Sequence, residues 1–383
     1  MAERLPLFSL ERWQSERENY AKILLSESGV EPFTLSELEK YVGNKLFSED
    51  FTIDYGWTHG SLQLREKICG LYNADIKPEN ILVTCGGAEA NFLAVLSLIR
   101  KGDPVIVEMP NYMQIHGLLK WIGAKVYGVW RRPENGFVLD IGEIRDLAEK
   151  VSAKAIFITN PNNPTGKILS RKDLEELSDF SRRKRCILVF DEAYRGLEHN
   201  GSITPSVIEI NDLDYSVVTS TLSKTFALPG LRIGWLIARE SVVKRAWSIH
   251  DYTTIAPAKI SDHLATLVLE PEVAKKIRER CLNIVLKNKN YLERKLKEKP
   301  KLLEVAWPEA GAFFLAKLMW TNESLEVCQR IFLKKGILIV PGECFNLKGY
   351  IRVGMGQRPE KYVKALDELF KALDDLRGLK LKV

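Results

Sequence analysis

KAIFITNPNNPTGKILSRKDLEELSDFSRRKRCILVFDEAY, residues 154–194, decides the architecture of this chain. Two short runs in it, KAIFITN and CILVFDEA, are apolar almost throughout, and an amphipathic segment, RKDLEELSDFSRRKR, lies between them. Strands without polar alternation, separated by helices, belong to a mostly parallel sheet covered on both faces. Working outward, NILVTCG, DPVIVEM and AKVYGVW upstream and YSVVTSTL and RIGWLIA downstream read the same way. AEANFLAVLSLIRKG and MQIHGLLKWIG supply further helices between them. The expected fold class is therefore α/β, with a large unit built on seven strands.

After residue 260 the pattern changes. PEVAKKIRERCLNIVLKNKNYLERKLKE reads as one long helix, GAFFLAKL, ILIVPGECF and YIRVGM as a few strands, and PEKYVKALDELFKALDDL as a closing helix. The first 45 residues contain no sheet-like run and are expected to pack against this second, smaller α+β unit or against a partner subunit. The domain expectation is a large unit over 46–284 and a small one formed by 1–45 and 285–383.

At 383 residues the chain is long enough for both units, and 45% hydrophobic with 28% charged residues places it among globular proteins. No apolar run approaches the roughly 20 residues of a membrane span, and MAERLPLFSLERW does not read as a signal peptide. The six cysteines are scattered without a CxxC pair, mostly inside apolar segments, which suggests reduced thiols in a cytoplasmic protein and no metal site. The net charge of +6 is modest, and its basic clusters read as solvated helix faces rather than a nucleic-acid surface.

Polar residues gather where the strands end, which is where open α/β sheets bind ligands. In TCGGAEANF, the N–H groups of Gly87 and Ala88 open a helix and could cradle a phosphate; alone, such a Gly pair is commonly just a turn. In VFDEAY, Asp191 at the tip of an apolar strand needs a cation or hydrogen-bond donors. Lys224 sits in the hydroxyl-rich STLSKTFALPGLRIGW, flanked by core-like segments, a setting that suits a Schiff-base nucleophile.

Taken together and in this order, NPNNPTG, DEAY, TLSK and the later Arg232 resemble the class I/II aminotransferases, pyridoxal-phosphate (PLP) enzymes of fold type I similar to aspartate aminotransferase. The resemblance implies a ping-pong transfer of an amino group between an amino acid and a 2-oxo acid. It implies that Lys224 carries the cofactor and moves the proton, that Asp191 pairs with the pyridine nitrogen, and that Asn163 and Tyr194 hold the phenolic oxygen. Tyr112 in MPNYM would stack on the ring, and Gly87, Ala88, Thr221, Ser223 and Arg232 would hold the phosphate. Arg352 in GYIRVGMG would clamp the substrate α-carboxylate, and Tyr55 in DYGWTHG would reach the phosphate of the other subunit, making a homodimer with shared sites.

Gly29 and Val30 match the family's amino-terminal pocket loop only loosely, and no residue matches the second arginine with which dicarboxylate transaminases hold a side-chain carboxylate. Trp57, His59 and Tyr252 are candidates for that side of the pocket, although a Trp is more often core and a His more often a satisfied loop residue. The same cofactor chemistry also serves β- or γ-elimination, decarboxylation and amino-acid cyclisation. A non-catalytic binding domain of the same fold is a further alternative, against which the intact Lys224 argues.

Overall fold

The computed structural model describes residues 4–378. All seven runs expected to be strands form one sheet: β2 (Ile81–Thr84), β3 (Pro104–Met109), β4 (Lys125–Trp130), β5 (Ala155–Thr159), β6 (Ile187–Asp191), β7 (Ser216–Thr221) and β8 (Gly234–Ile237). Their order is β2-β8-β7-β6-β5-β3-β4, and β8 alone runs antiparallel to its neighbours. Successive side chains of a strand face opposite ways, so an apolar strand feeds two cores. In β5, Ile156 and Ile158 join one buried cluster, whereas Ala155 and Phe157 join the cluster on the other face.

The helix Arg171–Lys184 between β5 and β6 starts at Ser170, whose Oγ accepts from Asp173 N while the Asp173 carboxylate accepts from Ser170 N. That reciprocal cap satisfies donors which a helix start leaves orphaned. Arg182, Arg183 and Lys184 in the last turn complement the negative end of the helix dipole.

Beyond the sheet, the helix Pro271–Glu298 coincides with the expected long segment, with proline at its start where the missing N–H costs nothing. A second, antiparallel sheet has the order β12-β13-β10-β9, from β9 (Leu303–Ala306), β10 (Phe313–Leu318), β12 (Val340–Pro341) and β13 (Tyr350–Gly354). The closing helix is Pro359–Gly378. One expectation needs correcting. The amino-terminal segment does contain a strand, β1 (Ile23–Leu24), paired in parallel with β11 (Ile337–Leu338). Two residues are too few to show an alternation in sequence, and the pairing partner lies more than 300 residues away.

The six thiols are free, four buried and Cys69 and Cys85 partly so. Among the described residues no helix is long and apolar enough to cross a membrane.

Candidate active site

The carboxyl ends of β5, β6 and β7 deliver Thr159, Asp191 and Thr221 to one cavity of about 330 Å³. Gly87, Ala88, Tyr112, Asn163, Tyr194, Ser223, Lys224, Arg232 and Arg352 complete much of its wall. Residues separated by up to 265 positions in sequence are therefore gathered at the edge where a parallel sheet offers its open crevice.

Asp191 is buried, and burial raises its carboxyl above the ordinary value of 3.8. Asn91 Nδ2 donates to Oδ2 at 2.9 Å and Ala193 N to Oδ1 at 3.0 Å, so both oxygens are fixed. Asn91 is itself held by Thr219, whose hydroxyl donates to Asn91 Oδ1 at 2.6 Å.

Lys224 follows β7 by three residues and is half-buried. Its Nζ donates to Ser28 Oγ at 3.0 Å. The same oxygen takes the Tyr194 hydroxyl at 2.8 Å, and Asn163 Nδ2 lies 3.4 Å from that hydroxyl. Arg352 continues the network, donating to Asn163 Oδ1 at 3.0 Å and to Ser26 O at 2.8 Å. Arg352 is only 1% exposed, its Nε has no partner, and the rings of Phe313 and Phe345 flank it at 5.7 and 5.2 Å. A buried cation that meets only neutral oxygens is costly until an anion reaches it.

At the helix Gly87–Leu98, Gly86 precedes the first turn without any side-chain cap. Gly86 has φ +85, and a Cβ there would sit 2.4 Å from Arg232 Nη2. Only glycine lets the arginine approach this closely. Thr221 and Ser223 hydroxyls lie 2.9 Å apart, and Arg232 Nη1 is 3.5 Å from Ser223 Oγ. Uncapped N–H groups at a helix start, two hydroxyls and a guanidinium are donors of the kind that suit an anion.

Tyr112 lines the cavity, meets Phe8 edge to face at 5.0 Å, and hydrogen-bonds the Glu11 carboxylate. Gly29 and Val30 line an adjoining cavity of about 420 Å³, which shares Ser223 and Lys224 with the first. Tyr55 and Trp57 are not in either cavity of their own chain. They line a separate groove with His59 and Trp247, whose rings stack at 4.3 Å. Tyr252, 91% exposed, faces solvent in the single chain.

Sequence reasoning missed Ser28, Asn91 and the cavity carboxylates Glu11, Glu18 and Glu27. Asn91 gave one usable signal, being the lone amide in the apolar helix GAEANFLAVLSL. Ser28 gave none beyond its place beside Gly29.

Comparison with known proteins defines the class to which this fold and site belong. The family model for aminotransferase class I and II matches residues 48–369, and the chain belongs to that family. It is a PLP-dependent aminotransferase, moving an amino group between an amino acid and a 2-oxo acid. Among solved structures it is similar to a PLP-dependent aminotransferase from Streptococcus suis 89-1591, at 32% identity, a TM-score of 0.91, and coverage of 97% of this chain and 99% of that one. Among curated relatives it is 28% identical to a capreomycidine synthase of Streptomyces vinaceus over 93% of this chain and 91% of that protein. It is also 28% identical to an aspartate aminotransferase of Pyrococcus horikoshii over 84% and 85%.

The cavity suits this cofactor. It holds a fixed buried carboxylate for a pyridine nitrogen, a lysine amine for an aldehyde, and the uncapped helix start with Arg232 for a phosphate.

Proposed function

We propose that the transfer is divided among the residues of this cavity as follows. Bound PLP supplies an electron sink, which lets the α-hydrogen of an attached amino acid leave as a proton. Lys224 Nζ would hold the cofactor by its aldehyde and would carry the proton between the substrate α-carbon and the cofactor. Ser28 and Tyr194 aim that amine, on the support of the 3.0 Å and 2.8 Å contacts. Asp191, oriented by Asn91, keeps the pyridine nitrogen protonated. Tyr194 and Asn163 hold the phenolic oxygen, and Tyr112 covers the ring. Gly87, Ala88, Thr221, Ser223 and Arg232 hold the phosphate. Arg352 grips the substrate α-carboxylate beside Asn163, with Gly29 and Val30 on the neighbouring wall.

The active unit in this reading is a homodimer in which Tyr55 and Trp57 of each chain serve the other's cavity. Supporting it, Tyr55 is 80% exposed and Trp57 62% exposed in the single chain, side by side on one groove. Residues 46–284 would form the large unit, and 1–45 with 285–383 the small one, with the helix Pro271–Glu298 spanning the junction. The free thiols support a cytoplasmic setting.

The single observation that carries the reading is the meeting of Lys224, Asp191, Arg232 and Arg352 in one cavity. Its test is a donor panel followed by absorbance. Loss of the aldehyde form with appearance of the amine form and a 2-oxo acid supports it, and ammonia release without the amine form counts against it. The likeness to a capreomycidine synthase supports a second reading, a synthase reaction using the same residues, which would leave a product that is not a 2-oxo acid.

A further inference from the structure

We infer that the amino donor carries a positive charge at the end of its side chain, an ammonium or guanidinium met by Glu11, Glu18 and Glu27. The inference rests on the proposed function, since it assigns the remaining substituent of an amino acid whose other groups are placed there.

Glu11, on the helix Ser9–Ser15, and Glu18, in the short turn after it, reach the Lys224 cavity from the amino-terminal segment. Glu27, beside Ser28, lines both this cavity and the adjoining one. None of the three has a Lys, Arg or His nitrogen within 4.0 Å among the described residues, although neighbouring acids do: Glu16 pairs with Arg17, and Glu31 with Lys361. The one hydroxyl held by Glu11, from Tyr112, is neutral.

The cations of the cavity are already spoken for. Arg232 stands beside Ser223 among the donors that suit an anion, and Lys224 at Ser28. Arg352 is the independent sign of a ligand. It is buried, its Nε is unpartnered, and burial lowers its affinity for a proton, a penalty that an incoming carboxylate relieves. With the α-carboxylate at Arg352 and the α-amino group at the cofactor carbonyl, the side chain must lie against the walls that remain. A side-chain carboxylate there would face three others, of which Glu27 already acts electrostatically on Arg352, the cation given to the α-carboxylate, and an aromatic ring would strip water from them without offering a donor. An ammonium or guanidinium supplies both charge and N–H groups.

The test uses the wild-type holoenzyme and α-methyl amino acids, which bind and change the absorbance but have no α-hydrogen to lose. α-Methylornithine is expected to bind at least about tenfold more tightly than α-methylaspartate, with the advantage shrinking as salt is added. Glu18→Gln should weaken α-methylornithine while leaving α-aminoisobutyrate, which has no charged side chain, unchanged. Glu11→Gln and Glu27→Gln, at residues that respectively touch Tyr112 and act on Arg352, should weaken α-methylornithine by more than they change α-aminoisobutyrate. If α-methylaspartate or α-methylphenylalanine gives the normal spectral change and binds more tightly, the aminotransferase reading stands and the charge assignment falls. A cation brought by a partner subunit would show itself in that way. If none of the analogues alters the spectrum, the proposed function fails and takes this inference with it.

Discussion

Lys224 and Ser28 are separated by 196 residues, yet Lys224 Nζ donates to Ser28 Oγ at 3.0 Å. The amino-terminal segment thereby reaches Lys224, three residues beyond β7 of the large sheet, directly. Tyr194 uses the same oxygen, so one hydroxyl orients two groups of the site.

Ser28→Ala removes that shared acceptor. Loss of one such hydrogen bond typically costs about 0.5–1.5 kcal/mol, so the single-turnover half-reaction should slow by up to roughly tenfold, with cofactor retention little changed. Stopped-flow measurement of amine-form appearance checks this. An unchanged rate would show that Ser28 merely fills space.

Asp191 carries a cofactor-linked expectation and a pH-linked one. Removing a preorganised charge partner typically costs on the order of 100-fold, so Asp191→Ala should fold but react that much more slowly. Without cofactor, burial holds the Asp191 carboxyl above its ordinary 3.8. For a carboxyl raised on folding, the stability it contributes is complete below the unfolded value and is lost as pH climbs through the folded one. Apo Asp191→Asn should therefore lose less stability than the parent over that rise, and gain less Tm when PLP is added. Parallel melting curves across pH for both proteins would refute the assignment.

Tyr55 bears on the proposal that the site is shared between two chains. A charge-assisted bond to phosphate is worth roughly 1.5–3 kcal/mol, so Tyr55→Phe should weaken PLP retention by about one order of magnitude or somewhat more. Mixing Tyr55→Phe chains with Lys224→Ala chains puts both defects in one site and none in the other if Tyr55 acts across the interface. Activity at limiting PLP should then exceed that of either parent. No recovery, or a fully active monomer by light scattering, argues for a site complete within one chain.

Most of the strands and the long helix were legible as runs of one character: β5 and β6 are apolar on both faces, and Pro271–Glu298 is unbroken by glycine. Asp191 and Lys224 were legible because ionisable groups set among core residues demand a partner, and Arg352 through the family resemblance of GYIRVGMG. β1 was hidden by its two-residue length. Ser28, Glu11 and Glu18 were hidden for another reason: they lie in irregular chain, in a seven-residue helix and in a short turn, and only tertiary packing brings them to the cavity. Nothing in the local pattern distinguishes Glu11 from the solvent-facing Glu16.

The central claim is that Lys224 is the residue that holds the cofactor. Borohydride reduction of the PLP-loaded enzyme, followed by peptide mapping, reads it directly. The expected result is a single pyridoxyl group on the Lys224 peptide. A pyridoxyl group on any other lysine, with Lys224 unmodified, would contradict it.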